Sequence, residues 1–189
     1  MDARLNERGS KARTWNALKM NKPEIINRVA NSALITIDLE DYYPKGERIL
    51  FDIKPLLWQE FVLKEKDFRQ FIKENDWSVY QDKFVAVYNT ADAIVPSWAY
   101  MLISTYLQPF AKKTIIGSLK DLETALYSQI IANLNIDDYS GKPVIIKGCA
   151  NKCIPETAYI QLIEKIQPVV NSIMFGEACS TVPLFKRKK

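Results

Sequence analysis

Two stretches of the chain repeat one pattern of apolar and polar positions. "KFVAVYNTADAIVPSWAYMLISTYLQPFAKKTIIG" (83–117) lies over "KPVIIKGCANKCIPETAYIQLIEKIQPVVNSIMFG" (142–176) without a gap, at an offset of fifty-nine. Each opens on an apolar run, "FVAVY" or "VII", of the kind carried by a strand covered on both faces. A loop follows, and then Pro96 or Pro155, which the pattern places in a first helical turn, where a missing N–H costs nothing. Tyr159, Leu162, Ile163 and Ile166 then recur at i, i+3, i+4 and i+7 and predict a helix with one apolar stripe. Pro109 and Pro168 end or kink the helices, and "TIIG" and "IMFG" resume as short strands closed by glycine. Identities at Lys83/Lys142, Ala91/Ala150, Pro96/Pro155, Ala99/Ala158, Tyr100/Tyr159, Gln108/Gln167, Pro109/Pro168 and Gly117/Gly176 favour a duplicated β-loop-α-β unit over convergence.

Between the copies, "SLKDLETALYSQIIANL" (118–134) begins with a Ser-x-x-Asp start signal and carries Leu119, Leu122, Leu126 and Ile130 on one helical face. From Lys83 onward the order is therefore β-α-β-α-β-α-β. That alternation predicts an α/β fold with a mostly parallel sheet flanked by helices and right-handed crossovers, so every loop after a strand meets one edge. Before it, "LITIDL" alternates and "RILFDI" is expected to pair with it antiparallel across "YYPKGE". "LLWQEFVL" reads as a strand or short helix, and "EKDFRQFIKEN" as a helix with Phe68, Phe71 and Ile72 on its buried face.

At 189 residues the chain suits one core, and a single α/β domain over 20–185 is expected. Residues 1–19 are charged, lack the apolar region of a secretory signal, and read as a disordered leader or extension; 186–189 are a basic tail. No apolar run is long enough to span a bilayer. The net charge of +4 resides in the ends: the leader carries +3 and the tail +4, which leaves −3 on the body. Charge therefore gives no footprint for nucleic acid.

Histidine is absent. That removes Ser-His-Asp and Cys-His catalysis, His-ligated zinc and imidazole proton shuttles, and leaves Cys, Asp, Glu, Lys, Arg, Tyr or a cofactor. Three cysteines without a signal segment point to free thiols in a reducing compartment, hence the cytoplasm.

Ligands of open α/β sheets sit outside the carboxyl ends of the strands. "NTADAIV", "GSLKD", "GCANKCI" and "GEACSTV" all meet that edge, which makes Thr90, Asp92, Gly148, Asn151 and Gly176 candidate ligand-binding residues. Cys149 and Cys153 share one of these loops and Cys179 follows the next strand. If the three sulfurs converge, with Cys149 and Cys179 nearest, thiolates beside a helix N-terminus would suit zinc or an iron-sulfur cluster, with a fourth ligand from Asp92, solvent or a partner. Cys-x3-Cys with one remote cysteine matches no specific metal motif, and reduced cysteines are commonly packed as small buried residues. Asp38, Glu40 and Asp41 could hold a hard cation or simply be solvated. Trp98 could anchor a partner or pack in the core.

The segments "EIINRVANSALITIDLEDYYP", "LKEKDFRQFIKENDW", "ADAIVPSWAYML", "VIIKGC" and "FGEACSTVPLFKRKK" resemble those of the short bacterial proteins grouped as domain of unknown function 2480. The likeness runs from about Glu24 to the C-terminus and implies a one-domain cytosolic protein. That family supplies no catalytic residue. Two function classes stay open: a small-ligand or metal-binding protein, enzyme or not, working around Cys149, Cys153 and Cys179, and a non-catalytic interaction or scaffold protein whose cysteines only pack. Either is compatible with a homo-oligomer.

Overall fold

A computed structural model of the chain describes residues 34–148, 151–177 and 180–188. The expected leader, the start of the expected domain, Cys149 and Cys179 lie outside the described residues. The elements in order are β1 (Ile35–Ile37), β2 (Arg48–Asp52), α1 (Glu65–Glu74), β3 (Phe84–Tyr88), α2 (Ser97–Leu107), β4 (Lys113–Ile116), α3 (Leu119–Asn133), β5 (Pro143–Ile146), α4 (Glu156–Ile166), β6 (Ser172–Glu177) and β7 (Ser180–Lys186). The class is α/β with mostly parallel strands. No helix among the described residues is long and apolar enough to cross a membrane.

The strands form two sheets where one was expected. One is ordered β2-β3-β4 and parallel throughout; the other is ordered β1-β5-β6-β7, parallel except for the antiparallel β6–β7 pair. The reason lies in α3, which has two apolar faces. Leu122 and Leu126 pack on Phe84 and Ala86 of β3, while Tyr127 and Ile131 pack with Val144 and Ile146 of β5. The helix leaves one sheet and delivers the chain to the other. Ser118 and Asp121 cap it reciprocally, as the Ser-x-x-Asp signal predicts.

The antiparallel N-terminal strand pair is also corrected. β1 pairs with β5 and β2 with β3, both in parallel, and the antiparallel pair sits at the other end of the chain. The central strands explain this. β3 and β5 are buried and need a hydrogen-bonding neighbour on each side. A β1–β2 hairpin could serve only one of them; separated, each strand serves one sheet.

The segments 83–117 and 142–176 each form a strand, a loop, a helix and a strand. Their starts, Phe84 and Pro143, Ser97 and Glu156, Lys113 and Ser172, all differ by fifty-nine. Pro96 and Pro155 lie one residue earlier than expected, in extended conformation just ahead of the helices. The pairing register extends the correspondence. Ile35 faces Val144 and Ile49 faces Val85, so Asp38 and Asp52 occupy like places just past a buried strand residue, Ile37 or Phe51.

The core of the first sheet is completed by Phe68 and Ile72 of α1 and by Ala99, Ile103 and Leu107 of α2, packed on Val85 and Val87. In the second sheet, Ala158, Leu162 and Ile166 of α4 play the same part. "LLWQEFVL" opens on Leu56, the last residue of a short 3-10 helix, Lys54–Leu56, and past it is neither strand nor helix. It is a tight turn closed by hydrogen bonds between Trp58 and Val62, with Gln59 (φ 50°) and Glu60 (φ 59°) in the left-handed region that side chains other than glycine adopt at a cost.

Candidate functional site

The carboxyl ends of the two sheets carry most of the residues singled out by pattern. Past β3, Thr90 is engaged by Asp52: its amide donates to Asp52 Oδ1 (3.1 Å) and its hydroxyl to Asp52 Oδ2 (2.5 Å). Asp92 is exposed and lines a separate groove with Phe61 and Ile94. Past β5, Gly148 lies against the ring of Phe175, where an added Cβ would come within 2.5 Å of Cζ; the glycine permits this close approach. Gly176 has φ +118° and no room for a Cβ beside the Ser180 carbonyl. These two glycines shape backbone, and that accounts for them without a ligand.

The amides of Asn151 and Lys152 both donate to Glu40 Oε1. Asp38 Oδ1 accepts from the Glu40 amide, and its Oδ2 pairs with Lys147 at 2.8 Å. Asp38 and Glu40 are thus engaged by a lysine and by backbone amides, an arrangement unlike a hard-cation cage, and Asp41 is exposed. Trp98 packs edge-on against Phe68 (5.7 Å between ring centroids) beneath the Arg69 guanidinium, as part of the core. Among the described residues no group of three His, Cys, Asp or Glu side chains is placed to hold a metal ion. That leaves Cys149 and Cys179 untouched, since both lie outside those residues. Cys153 is described and exposed.

The two aspartates carry a pH dependence. Burial alone would raise both carboxyls. Around Asp38 the Lys147 hydrogen bond and the Glu40 amide outweigh it, and around Asp52 the Thr90 hydroxyl and the Lys54 and Thr90 amides do, so both pKa values fall below the usual carboxylate value. A lowered folded-state pKa contributes stability that is complete above the unfolded value of about 4 and is lost as pH falls through the folded value. Asp52→Asn should therefore destabilise at pH 7 and cost less at pH ~2, because falling pH drives Asp52 towards protonation in both states. Urea denaturation at the two pH values measures this; an equal loss at both would remove the charge from the account.

One cleft joins the two halves of the fold at the start of α3. It is about 580 Å³ in volume and is lined by Tyr43, Arg48, Leu119, Lys120, Glu123, Cys153, Ile154, Pro155 and Glu156. At its base Arg48 Nε donates to Glu123 Oε1 at 2.7 Å, and Nη2 lies 3.4 Å from Oε2. Nη1 donates to the carbonyls of Pro44 and Gly46. Glu123 is 5% exposed, the one buried charged residue among the described ones. The guanidinium lies over the Tyr43 ring at 4.2 Å and beside the Phe84 ring at 5.0 Å. Burial, and next the Glu123 carboxylate, push the Tyr43 hydroxyl pKa up, so it remains a donor at neutral pH. Tyr127, one turn after Glu123 on α3, is fully buried and its hydroxyl donates to the Leu39 carbonyl.

Pattern reading missed Arg48, Glu123, Tyr43 and Tyr127. The available signal was Glu123 itself, which follows Leu119 by four residues and precedes Leu126 by three and Tyr127 by four. A carboxylate inside an apolar stripe must find a buried partner or leave the stripe. Of the sulfurs the pattern grouped, Cys153 is the one that the described residues place in this cleft.

Two mostly parallel sheets sharing a central helix, with a cleft above a buried ion pair, define the α/β architecture of this chain. The family described as a protein of unknown function, DUF2480, matches residues 23–187, and the chain belongs to it. No curated protein and no solved structure matches the chain.

Proposed function

We propose that the protein binds a small ligand in the cleft above Arg48 and Glu123, with Cys153 in its wall. The observation that carries this is a buried, hydrogen-bonded ion pair at the base of an open cavity of about 580 Å³. Such a pair is costly to bury and adds little stability over apolar packing, whereas it can orient polar groups towards a bound molecule. Apolar walls from Leu119, Ile154 and Pro155 would hold the body of the ligand. Cys149, three residues past Ile146 and directly after Gly148, is four residues before Cys153 in sequence, and Cys179 falls between β6 and β7. Zinc or an iron-sulfur cluster held by these thiolates is the metal form of the reading, and either form places the protein in the cytoplasm, where thiols stay reduced.

The test is ligand protection of Cys153. A compound that binds here should raise the melting temperature and slow alkylation of Cys153 by N-ethylmaleimide at least several-fold, resolved from Cys149 and Cys179 by peptide mass. Leu119→Trp, which fills the cleft from an exposed position, should abolish both effects. A chemically broad small-molecule library that yields no protecting compound would end the small-ligand reading. Stoichiometric zinc or iron in protein purified without air would replace it with the metal form. A second reading, a protein-interaction role, is favoured by one observation: Trp58, Phe61, Val62 and Ile94 are exposed together beside the start of α2.

A further inference from the structure

That exposed patch has a counterpart elsewhere on the same chain. The patch lines a groove of about 640 Å³ between the turn at Phe61–Leu63 and the segment Ala91–Pro96; Ile94 is 96% exposed and Phe61 68%. The groove has one charged lining residue, Asp92, which makes no ion pair among the described residues. The counterpart is β7, the edge strand of the other sheet. Val182 is 59% exposed and Leu184 49%. The register shifts between Ile173 and Met174, whose partners are Phe185 and Pro183, so Leu184 is the extra residue of a bulge.

Lys186 and Lys188, exposed and without an ion pair among the described residues, follow that bulge. Arg187 between them holds the strand end in place by donating to the carbonyls of Val170, Gln167 and Pro168. A bulge and a proline on an edge oppose strand-on-strand pairing, so contact at β7 has to be made by side chains. One surface is an apolar groove with a carboxylate; the other is an apolar knob with two ammonium groups.

We propose that the chain self-associates head to tail, with Leu184 and Val182 of one copy seated in the Phe61–Ile94 groove of the next and Asp92 facing Lys186 and Lys188. Apolar burial supplies the affinity and the opposite charges set the orientation. A pair of copies retains one free groove and one free knob, so the contact is heterologous and builds a ring or an open chain of subunits. This contact is independent of the cleft above Arg48.

Sedimentation of the full chain across about 1 μM to 1 mM, the span from moderate to weak association, tests this. The expected result is a mass that climbs past that of a dimer with concentration. Ile94→Glu and Leu184→Glu should each be monomeric, with unchanged circular dichroism and the melting temperature of the dilute wild-type chain, because both positions are exposed. An equimolar mixture of the two variants should form a two-chain species, since the intact β7 of the first fits the intact groove of the second. Asp92→Lys should weaken association about tenfold at low salt and less at high salt. A wild-type chain that is monomeric throughout, single variants that still associate, or a mixture that stays monomeric would each overturn the proposal.

Discussion

Glu123→Ala is expected to lower the free energy of unfolding by about 3–5 kcal/mol, because it strands the Arg48 guanidinium in a buried position without its carboxylate. The side chains of Arg48 and Glu123 are only 13% and 7% exposed, so little water reaches the guanidinium to replace the missing carboxylate. Pro44 and Gly46 would still accept from Nη1, yet carbonyl dipoles do not neutralise a full charge. Replacing both partners, as Arg48→Met with Glu123→Leu, removes the stranded charge and should recover most of the loss. Urea denaturation of the single and double variants decides it. A single variant that costs under about 1 kcal/mol would show that the pair is solvated in solution. The double variant, stable but with its polar base removed, is also the protein in which ligand binding at the cleft should be lost.

Trp77→Ala should cost a similar amount, about 3–5 kcal/mol, by a different mechanism. Trp77 is buried at the start of a 3-10 turn, stacked on Phe51 with ring centroids 5.6 Å apart and set against Tyr80 and Tyr106. Its indole N–H donates to the Ile72 carbonyl at the end of α1 at 2.8 Å. The truncation opens a large cavity between α1 and the first sheet and leaves the Ile72 carbonyl short of a donor. Trp77→Phe retains much of the packing and loses the hydrogen bond, so it should fall well short of the alanine variant. If the two variants lose equal stability, the hydrogen bond and not the packed volume carries the contribution of Trp77.

The elements of the second half were legible because each depends on local pattern. "FVAVY" and "VII" are apolar on both faces, Pro96 and Pro155 mark helix starts, and Leu162 and Ile166 lie on one face at the right spacing. The sheet arrangement was not legible, since it turns on partners remote in sequence: Ile35 against Val144, and Ile49 against Val85. The turn-like "YYPKGE" between β1 and β2 imitates a hairpin when those partners are unseen. α3 misled in a related way. Leu119, Leu122, Leu126 and Ile130 form a stripe at helical period, but Leu119 is exposed, and Tyr127 and Ile131 on the neighbouring face are buried against the second sheet. Periodicity shows that a face is apolar and is silent on how many layers it meets.

The cleft shows the same division. Tyr43 and Arg48 are separated from Glu123 by 80 and 75 positions, so nothing local announces that they meet. Thr90, Gly148 and Gly176, chosen for their place at strand ends, do sit at strand ends, where backbone geometry and the Asp52 carboxylate account for them. Asp92 and Asn151 are exposed, the first in the groove by Ile94 and the second with its amide on Glu40.

The shared position of α3 bears on how the molecule can come apart. A helix that closes one sheet with Leu122 and Leu126 and the other with Tyr127 and Ile131 cannot detach from either without exposing the core of both. The amides of α3 can then exchange with solvent only when both layers open, so they belong among the slowest-exchanging of the chain. A fragment ending before Ser118 would leave Phe84 and Ala86 uncovered, and one beginning after Asn133 would leave Val144 and Ile146 uncovered. Each half depends on the connecting helix as an inner wall, and neither is built to fold alone.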